Sequence, residues 1–371
     1  MSGPATGKAP VLQLDALTGL RGIAAWLVVF YHIRLSLTAL LPSDTIAFLA
    51  KGYLAVDLFF MLSGFVMWLN YGDRFAQNGL RETPSFLWKR VARIWPLHAL
   101  IMAGMIAFAA LLIVTKRPID EYPLGELPLH IMLVQNWGFT DALSWNHPAW
   151  SISTELGAYL VFPLIVCAIA WRQLSAPVLL AILGAALAGL YGFFALNGLT
   201  DLGDNIAQMG LVRCIIEFFI GIVLANIWQR FGQGLSATLC WALAACAAAL
   251  IGMFANVPET AFMPVLIASI LMIFASNAGK FAAVLSAKPL LWLGDISYAT
   301  YLVHYFAFIL FKIAFVGPDL QLSWMQLAAF LAGIMAMSAA LYCGFEKPAQ
   351  RWMNARSPFA KSVRMKPSPS V

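Results

Sequence analysis

Ten apolar stretches recur along the chain, and each is long enough to cross a bilayer as a helix. Of the 371 residues, 61% are hydrophobic and 11% are charged, whereas a soluble domain has about a quarter charged. The sequence therefore predicts an all-α integral membrane protein, a bundle of about ten transmembrane helices. The predicted spans are 16–40, 52–72, 88–114, 146–171, 177–196, 208–229, 236–255, 260–276, 289–315 and 322–345.

The basic residues are distributed unequally over the predicted loops. If the N-terminus lies inside, sixteen lysines and arginines fall in cytoplasmic segments and three in outer loops. Short cytoplasmic loops are enriched in both residue types, so we expect both termini in the cytoplasm. The predicted organisation is a polar cytoplasmic N-terminus (1–13), a single transmembrane domain (14–352) and a basic cytoplasmic tail (353–371).

Neither a metal site nor nucleic-acid binding is predicted. The five cysteines lie inside predicted spans, without a CxxC motif or a cysteine–histidine pairing. We interpret them as small apolar side chains. The net charge of +6 is explained by basic residues at span ends, where they set membrane topology.

The first span carries ionisable residues at membrane depth. Such a charge costs about 2.5–3.5 kcal/mol on insertion scales, so it normally faces a protein interior or a wet cavity. Arg21 and His32 are eleven residues apart, which places them within about 20° of one helix face and about 16 Å apart along the axis. His32 is therefore a candidate catalytic residue, with a structural histidine as the alternative.

Two carboxylates in other spans are candidates to orient His32 and to stabilise its charged form. Asp57 lies about a turn inside the second span, and Glu155 lies in the fourth. The alternative for Asp57 is an interfacial charge that water reaches. Arg213 and Glu217, four residues apart in the sixth span, are interpreted as a self-neutralising pair within one helix.

Ser63 and Gly64 form a small pair in the second span. Small residues let helix backbones approach closely in a membrane. We interpret the pair as a packing site, with a serine nucleophile as the alternative.

Arg90 and Arg93 lie three residues apart where the chain enters the third span. They therefore share one side of a helix. A positive-inside signal explains them without any further function. Two guanidinium groups at a cytosolic opening also suit a phosphate-bearing ligand, and both interpretations stay open.

The loop before the fourth span and the ninth span contain candidate substrate contacts. Trp145 and Trp150 indicate an interfacial aromatic belt at least and a sugar-stacking rim at most. Tyr301 and His304 lie on roughly one face of the ninth span. His304 is assigned either to substrate binding or to a hydrogen bond with a tyrosine hydroxyl.

Six segments, in this order, resemble the acyltransferase-3 family of integral-membrane acyltransferases, between about Leu14 and Trp352. By similarity, His32 matches the family's catalytic histidine, and Arg21, Arg90 and Arg93 match arginines implicated in function with the acyl donor. The absence of a further span and of an extracytoplasmic domain after the tenth span resembles the stand-alone type. The segments are LDALTGLRGIAAWLVVFYHI, GYLAVDLFFMLSGFVMW, FLWKRVARIWPLH, HPAWSISTELGAYLVFPL, ISYATYLVHYFAFILF and FEKPAQRW.

The resemblance implies transfer of an acyl group from cytosolic acyl-CoA to a hydroxyl of a surface polysaccharide, a lipid-linked saccharide or a small molecule. Acetyl is the expected group and succinyl the alternative, with acyl-CoA as a co-substrate and no permanently bound cofactor. The expected location is the bacterial inner membrane. A transporter or flippase of a lipid-linked or acylated saccharide is the alternative function, and a homo-oligomer or a polysaccharide-export complex stays open.

Overall fold

The computed structural model describes residues 14–231, 235–255, 257–276 and 279–359, and these residues form helices and turns with no strand. The predicted N-terminal segment 1–13 and most of the predicted tail, from 360 onward, lie outside the described residues. The α-helices are α1 (Asp15–Ile33), α2 (Ser43–Ala50), α3 (Ala55–Asn78), α4 (Thr83–Val114), α5 (Leu127–Met132), α6 (Ala149–Ala168), α7 (Ala176–Leu196), α8 (Ile206–Phe231), α9 (Leu235–Phe254), α10 (Glu259–Ala275), α11 (Gly279–Leu285), α12 (Lys288–Phe315), α13 (Trp324–Leu341) and α14 (Lys347–Ala355).

The chain reverses direction between α3 and α4. Asn78 ends α3, and Gly79 follows with φ +56°, a conformation that glycine adopts without a steric penalty. The ring centroids of Tyr71 and Phe86 are only 5.0 Å apart, so the start of α4 lies against the end of α3. The 72-residue apolar stretch Ser43–Val114 therefore contains two spans.

The number of spans agrees with the sequence prediction. The described residues contain eight stretches long and apolar enough to cross a membrane, or nine if Glu259–Ala275 and Gly279–Leu285 form one bent span. Counting α3 and α4 separately gives nine spans, or ten with that bent span. The predicted boundaries fall within a few residues of most of these helices, whereas α2, α5, α11 and α14 are short helices that the sequence analysis did not predict.

Helices α1 and α12 touch through their backbones. A Cβ atom added to Gly22 would lie 2.7 Å from the backbone nitrogen of Gly294, and one added to Gly294 would lie 2.0 Å from the carbonyl oxygen of Thr18. Neither distance leaves room for a side chain, so glycine is required at both positions. This close crossing holds the polar residues of α1 beside those of α12.

Helices α3 and α8 make a second close contact of the same kind. A Cβ atom on Gly64 would lie 1.9 Å from the carbonyl oxygen of Phe218, and one on Gly221 would lie 2.0 Å from that of Met61. The predicted packing role of Gly64 is thereby confirmed. Its neighbour Ser63 does something else, because it lines a cavity.

The outer surface of the bundle is apolar where a bilayer would contact it. Helix α9 exposes large apolar side chains over much of its length, as a lipid-facing helix does. A soluble protein would leave no such band uncovered. The exposed side chains on α9 are Leu239, Leu243, Leu250, Ile251, Met253 and Phe254.

Candidate functional site

A cavity of about 630 Å³ lies between α1, α3, α4, α6, α8 and α12. Its volume is in the range of small-molecule sites, about 300–1,000 Å³. Three arginines that the sequence analysis associated with a donor line it together, namely Arg21, Arg90 and Arg93, and so do Glu155 and Tyr301. Among the described residues, no group of three or more His, Cys, Asp or Glu side chains is arranged to hold a metal ion.

Two of the arginines are held in place by the protein. Arg21 of α1 donates to the carbonyl oxygen of Gly294 through Nη2 at 2.7 Å and Nε at 3.2 Å, which is possible because α1 and α12 cross there. Arg93 forms an ion pair with Glu346, which lies in the π-helical turn Tyr342–Glu346. Glu346 belongs to the closing FEKPAQRW segment, but no pattern in the sequence indicates that it pairs with Arg93.

Arg90 is less completely satisfied than the other two arginines. Its Nη2 donates to the hydroxyl of Tyr71 at 3.1 Å. Its Nε is enclosed and has no hydrogen-bond partner among the described residues. A buried donor without a partner is costly, so this guanidinium is suited to an additional acceptor such as a phosphate oxygen.

Glu155 lies on the cavity wall and binds two hydroxyl groups. Its Oε1 accepts from Ser63 at 2.5 Å and from Tyr159 at 2.6 Å. These three side chains form a polar group midway along a largely apolar wall. Glu155 therefore does not contact His32, and the expectation that it directly orients His32 is wrong.

One part of the cavity wall approaches a pair of histidines. The hydroxyl of Tyr301 lies 2.7 Å from Oγ of Ser151, and both residues line the cavity. The ring centroid of Tyr301 is 6.1 Å from that of His304. His304 in turn is 4.9 Å from His32, centroid to centroid.

His32 and His304 are hydrogen-bonded to each other. Nε2 of His304 lies 3.1 Å from Nδ1 of His32. Each Nδ1 also lies near the carbonyl oxygen four residues earlier in its own helix, at 2.9 Å from Val28 and at 3.1 Å from Thr300. His304 is completely buried, whereas His32 is half-buried.

These contacts assign the tautomers of the pair. A carbonyl oxygen only accepts, so Nδ1 of His304 carries the proton and its Nε2 is the acceptor in the neutral ring. Nδ1 of His32 then donates to that Nε2 and to the carbonyl of Val28. The lone pair of His32 is therefore on Nε2. No described residue hydrogen-bonds to this atom, and it is not enclosed, so it is available as a base.

Asp57 does not lie beside His32, contrary to the sequence expectation. Its Oδ2 is 2.6 Å from Nη2 of Arg213, and its Oδ1 accepts from Nε at 2.8 Å. Arg213 also donates to the carbonyl oxygen of Leu202 at 2.6 Å, whereas Glu217 is 3.8 Å away. The predicted pair of Arg213 and Glu217 is therefore present, but Asp57, which the sequence did not indicate, is the closer partner of Arg213.

The two tryptophans assigned to a sugar-stacking rim are buried. Trp145 is 1% exposed, donates from Nε1 to the carbonyl oxygen of Pro123 at 3.1 Å and packs edge-to-face on Tyr122. Trp150 is 7% exposed and packs against Phe60. Their rings stabilise the fold of the loop and leave no open face for a sugar, so this prediction is wrong.

Other aromatic rings surround His32. Tyr31 and Tyr305 contact it edge-on, with ring centroids 4.9 and 5.5 Å from its own. His147 is stacked on Tyr305 at 4.8 Å and lies 3.2 Å from a carboxylate oxygen of Glu121. Burial lowers the pKa of His147, and Glu121 opposes that shift. Neither tyrosine was predicted from the sequence, although each is the chain neighbour of a singled-out histidine.

Comparison with known proteins identifies relatives over nearly the whole chain. A family model described as an acyltransferase domain matches residues 14–343. The chain is 28% identical to Acyltransferase MdmB of Streptomyces mycarofaciens, over 94% of this chain and 95% of that protein. It is 24% identical to O-acetyltransferase OatA of Staphylococcus aureus, over 79% of this chain but only 50% of that protein. No solved structure shows significant similarity.

Proposed function

Because the chain belongs to this acyltransferase domain family, we propose that it transfers an acyl group from acyl-CoA to a hydroxyl of a saccharide. The observation that carries the proposal is the cavity, which combines three arginines with a wall that approaches His304 and His32. The protein is a multi-pass membrane protein, and we propose the bacterial inner membrane as its location, with the arginines toward the cytosol.

The arginines suit the anionic part of acyl-CoA. Arg21, Arg90 and Arg93 would bind its phosphates, since guanidinium groups form strong charge-assisted hydrogen bonds with phosphate oxygens. The pantetheine arm would run along the apolar wall past the hydroxyl groups around Glu155. The thioester would then extend past Tyr301, the cavity residue next to His304, toward the histidine pair. Acetyl is the acyl group that we propose, as the smallest common one.

His32 would act as the general base. Its Nε2 would take the proton of the acceptor hydroxyl while the hydroxyl oxygen attacks the thioester carbon. The carbon–sulfur bond then breaks, and His32 returns the proton to the leaving thiolate. His304 is a positioning residue in this scheme, since its Nε2 accepts from Nδ1 of His32, keeps the tautomer and stabilises the imidazolium. An acyl-histidine intermediate would use the same lone pair.

The proposal is tested by mass spectrometry of the host's surface polysaccharides and their lipid-linked precursors. A deletion strain is compared with the same strain complemented by the chain at matched membrane level. We expect a defined acyl mass to disappear in the deletion strain and to return with the complementing chain. If acylation does not change and the saccharide accumulates inside, the transporter interpretation replaces the enzyme.

Neutralising Arg90 or Arg93 is expected to weaken acetyl-CoA binding. A hydrogen bond to a charged group contributes about 1.5–3 kcal/mol, which corresponds to about a 10- to 100-fold change in Kd. Arg93→Gln should have the larger effect, because it leaves the carboxylate of Glu346 facing the phosphates. The measurement is titration of the purified protein in nanodiscs with acetyl-CoA at two salt concentrations.

The matched control for these variants is Arg172→Gln. Arg172 is exposed, pairs with Asp73 on the surface and does not line the cavity. Its replacement should leave the Kd for acetyl-CoA unchanged. Equal affinities for all three variants would contradict a phosphate site at Arg90 and Arg93.

Two substitutions of His304 show whether its role is to position His32 or only to fill space in the core. His304→Leu fills the same space with an apolar side chain and removes the acceptor for Nδ1 of His32. The value of kcat should therefore fall about 100-fold. His304→Gln retains an acceptor oxygen and should recover much of that loss. The Kd for acetyl-CoA should stay unchanged in both variants. Equal kcat values for the leucine and glutamine variants would show that His304 does not act through this hydrogen bond.

A further inference from the structure

The open nitrogen of His32 is accessible, although His32 does not line the large cavity. His32 is absent from the residues that line it, yet the residue is half-buried and its Nε2 is not enclosed. Tyr301 lines the cavity and lies 6.1 Å from His304, which lies 4.9 Å from His32, centroid to centroid. In the proposed reaction the thioester reaches the base past Tyr301 and His304, and the acceptor reaches it from outside the cavity.

The rings on that other side form an aromatic cluster, which consists of Tyr31, Tyr305 and His147. Tyr31 and Tyr305 present their rings to His32 at 4.9 and 5.5 Å, and His147 extends the surface by stacking on Tyr305 with an interplanar angle of 22°. All three residues are half-buried, so part of each side chain is free for a ligand. Aromatic rings of this kind offer an apolar face beside polar tips.

Polar groups at the edge of the aromatic cluster suit a ligand rich in hydroxyl groups. Glu121 lies 3.2 Å from His147 and its side chain is 70% exposed. On the opposite edge, the ring of Tyr53 is 5.8 Å from Tyr31, and its hydroxyl donates to Glu259 at 2.5 Å. The exposed carboxylate of Glu121 can accept hydrogen bonds from hydroxyl groups. Glu259 is paired with Lys51 at 2.7 Å, and the guanidinium of Arg34 lies over the ring of Tyr31 at 4.1 Å.

We propose that Tyr31, Tyr305 and His147 form the acceptor-binding site, and that it takes a hydroxyl-rich ring such as a sugar. The inference rests on the proposed function, since it concerns the second substrate of the same reaction. The ring face of the acceptor stacks on Tyr305, and one hydroxyl reaches Nε2 of His32. Donor and acceptor thus reach the histidine pair by different routes.

The test uses membranes of a strain that lacks the chain as the source of acceptor and [¹⁴C]acetyl-CoA as the donor. Purified variants are added, and incorporated label is measured against membrane concentration. Tyr305→Ala should raise the half-saturating membrane concentration about tenfold, and His147→Ala should raise it severalfold. Tyr305→Phe keeps the ring face and should therefore raise it much less than Tyr305→Ala does. The Kd for acetyl-CoA should not change in any of them.

Tyr191→Ala is the matched control, because Tyr191 is an exposed tyrosine on α7 outside the aromatic cluster. Thermal unfolding of each variant shows whether it is folded. If Tyr305→Ala is not folded, His147→Ala takes its place in the comparison. If Tyr305→Ala, or in its place His147→Ala, saturates at the same membrane concentration as Tyr191→Ala, the aromatic cluster is not the acceptor site. If the unaltered chain neither binds acetyl-CoA nor incorporates label, the proposed function itself fails, which is a distinct result.

Discussion

His32→Ala is expected to abolish acyl transfer, with kcat reduced by about 10²–10⁴-fold, the usual contribution of a general base. The reason is the hydrogen bonding of the histidine pair. Nδ1 of His32 is committed to Val28 and His304, so Nε2 is its only lone pair. Alanine removes that lone pair and leaves His304, whose buried ring cannot take over at the same position.

The same variant should leave donor binding intact. His32 does not line the large cavity, so the Kd for acetyl-CoA should match that of the unaltered chain. The measurements are label incorporation from [¹⁴C]acetyl-CoA and titration with acetyl-CoA on one preparation. If His32→Ala loses acetyl-CoA binding together with label incorporation, His32 belongs to the donor site. That result would contradict separate sites for donor and acceptor.

His98→Gln is the matched control for a change at a buried histidine. Nε2 of His98 lies 2.8 Å from the carbonyl oxygen of His130, and the residue is outside the cavity. Glutamine has an amide donor for the same carbonyl. This variant should lower thermal stability slightly and keep kcat per folded molecule.

Full acylation by His32→Ala in the complemented strain would refute the assignment of His32 as a catalytic residue.

The spans were predictable because a bilayer imposes one length on every helix that crosses it. Helix α12, for example, was predicted at 289–315 and runs over Lys288–Phe315. Candidate functional residues within single helices were predictable too, because a charged residue in an apolar stretch is easily recognised. Arg21 was singled out in this way and lines the cavity.

The partners of those charges were not predictable, because they come from distant parts of the chain. Arg93 pairs with Glu346, 253 residues later, and Asp57 with Arg213, 156 residues later. Proximity within one helix favoured Glu217 for Arg213, but tertiary packing places Asp57 closer. The side chain that contacts His32 is likewise a histidine 272 residues away, not a carboxylate.

The conformation of the loop before α6 could not be predicted from the sequence either. A tryptophan-rich loop in a membrane protein is ordinarily an interfacial belt, and nothing in its composition indicates which rings turn inward. Trp145 has a φ of +54°, a conformation that is unusual outside glycine, and its ring is buried beside Tyr122. The aromatic cluster that is accessible next to His32 instead comes partly from the helices, through Tyr31 and Tyr305.

Arg213→Leu is expected to be the most destabilising single change in the bundle. Arg213, Asp57 and Glu217 are all essentially inaccessible, and the arginine is the cation between two carboxylates. Removing one partner of a buried ion pair costs about 3–5 kcal/mol, because the remaining charge is buried without compensation. We expect a strongly lowered Tm in detergent and a poor yield of folded protein. Asp57→Asn should cost less, since Glu217 still faces the arginine.

A charge-free version of the three residues provides the control. The triple variant Asp57→Asn, Arg213→Leu, Glu217→Gln should recover much of the stability lost in Arg213→Leu, because no uncompensated charge remains. If the triple variant is as unstable as Arg213→Leu, packing of the arginine rather than its charge is what the bundle needs.

The activity of Asp57→Asn decides between the two roles that this carboxylate has been given. Because Asp57 bonds to Arg213 and not to His32, kcat per folded molecule should stay close to that of the unaltered chain, even where Tm falls. A loss of kcat as large as that of His32→Ala, at unchanged Tm, would mean that Asp57 acts on the histidine during the reaction. In that case the carboxylate inferred from sequence, rather than His304, would be the group that stabilises the imidazolium.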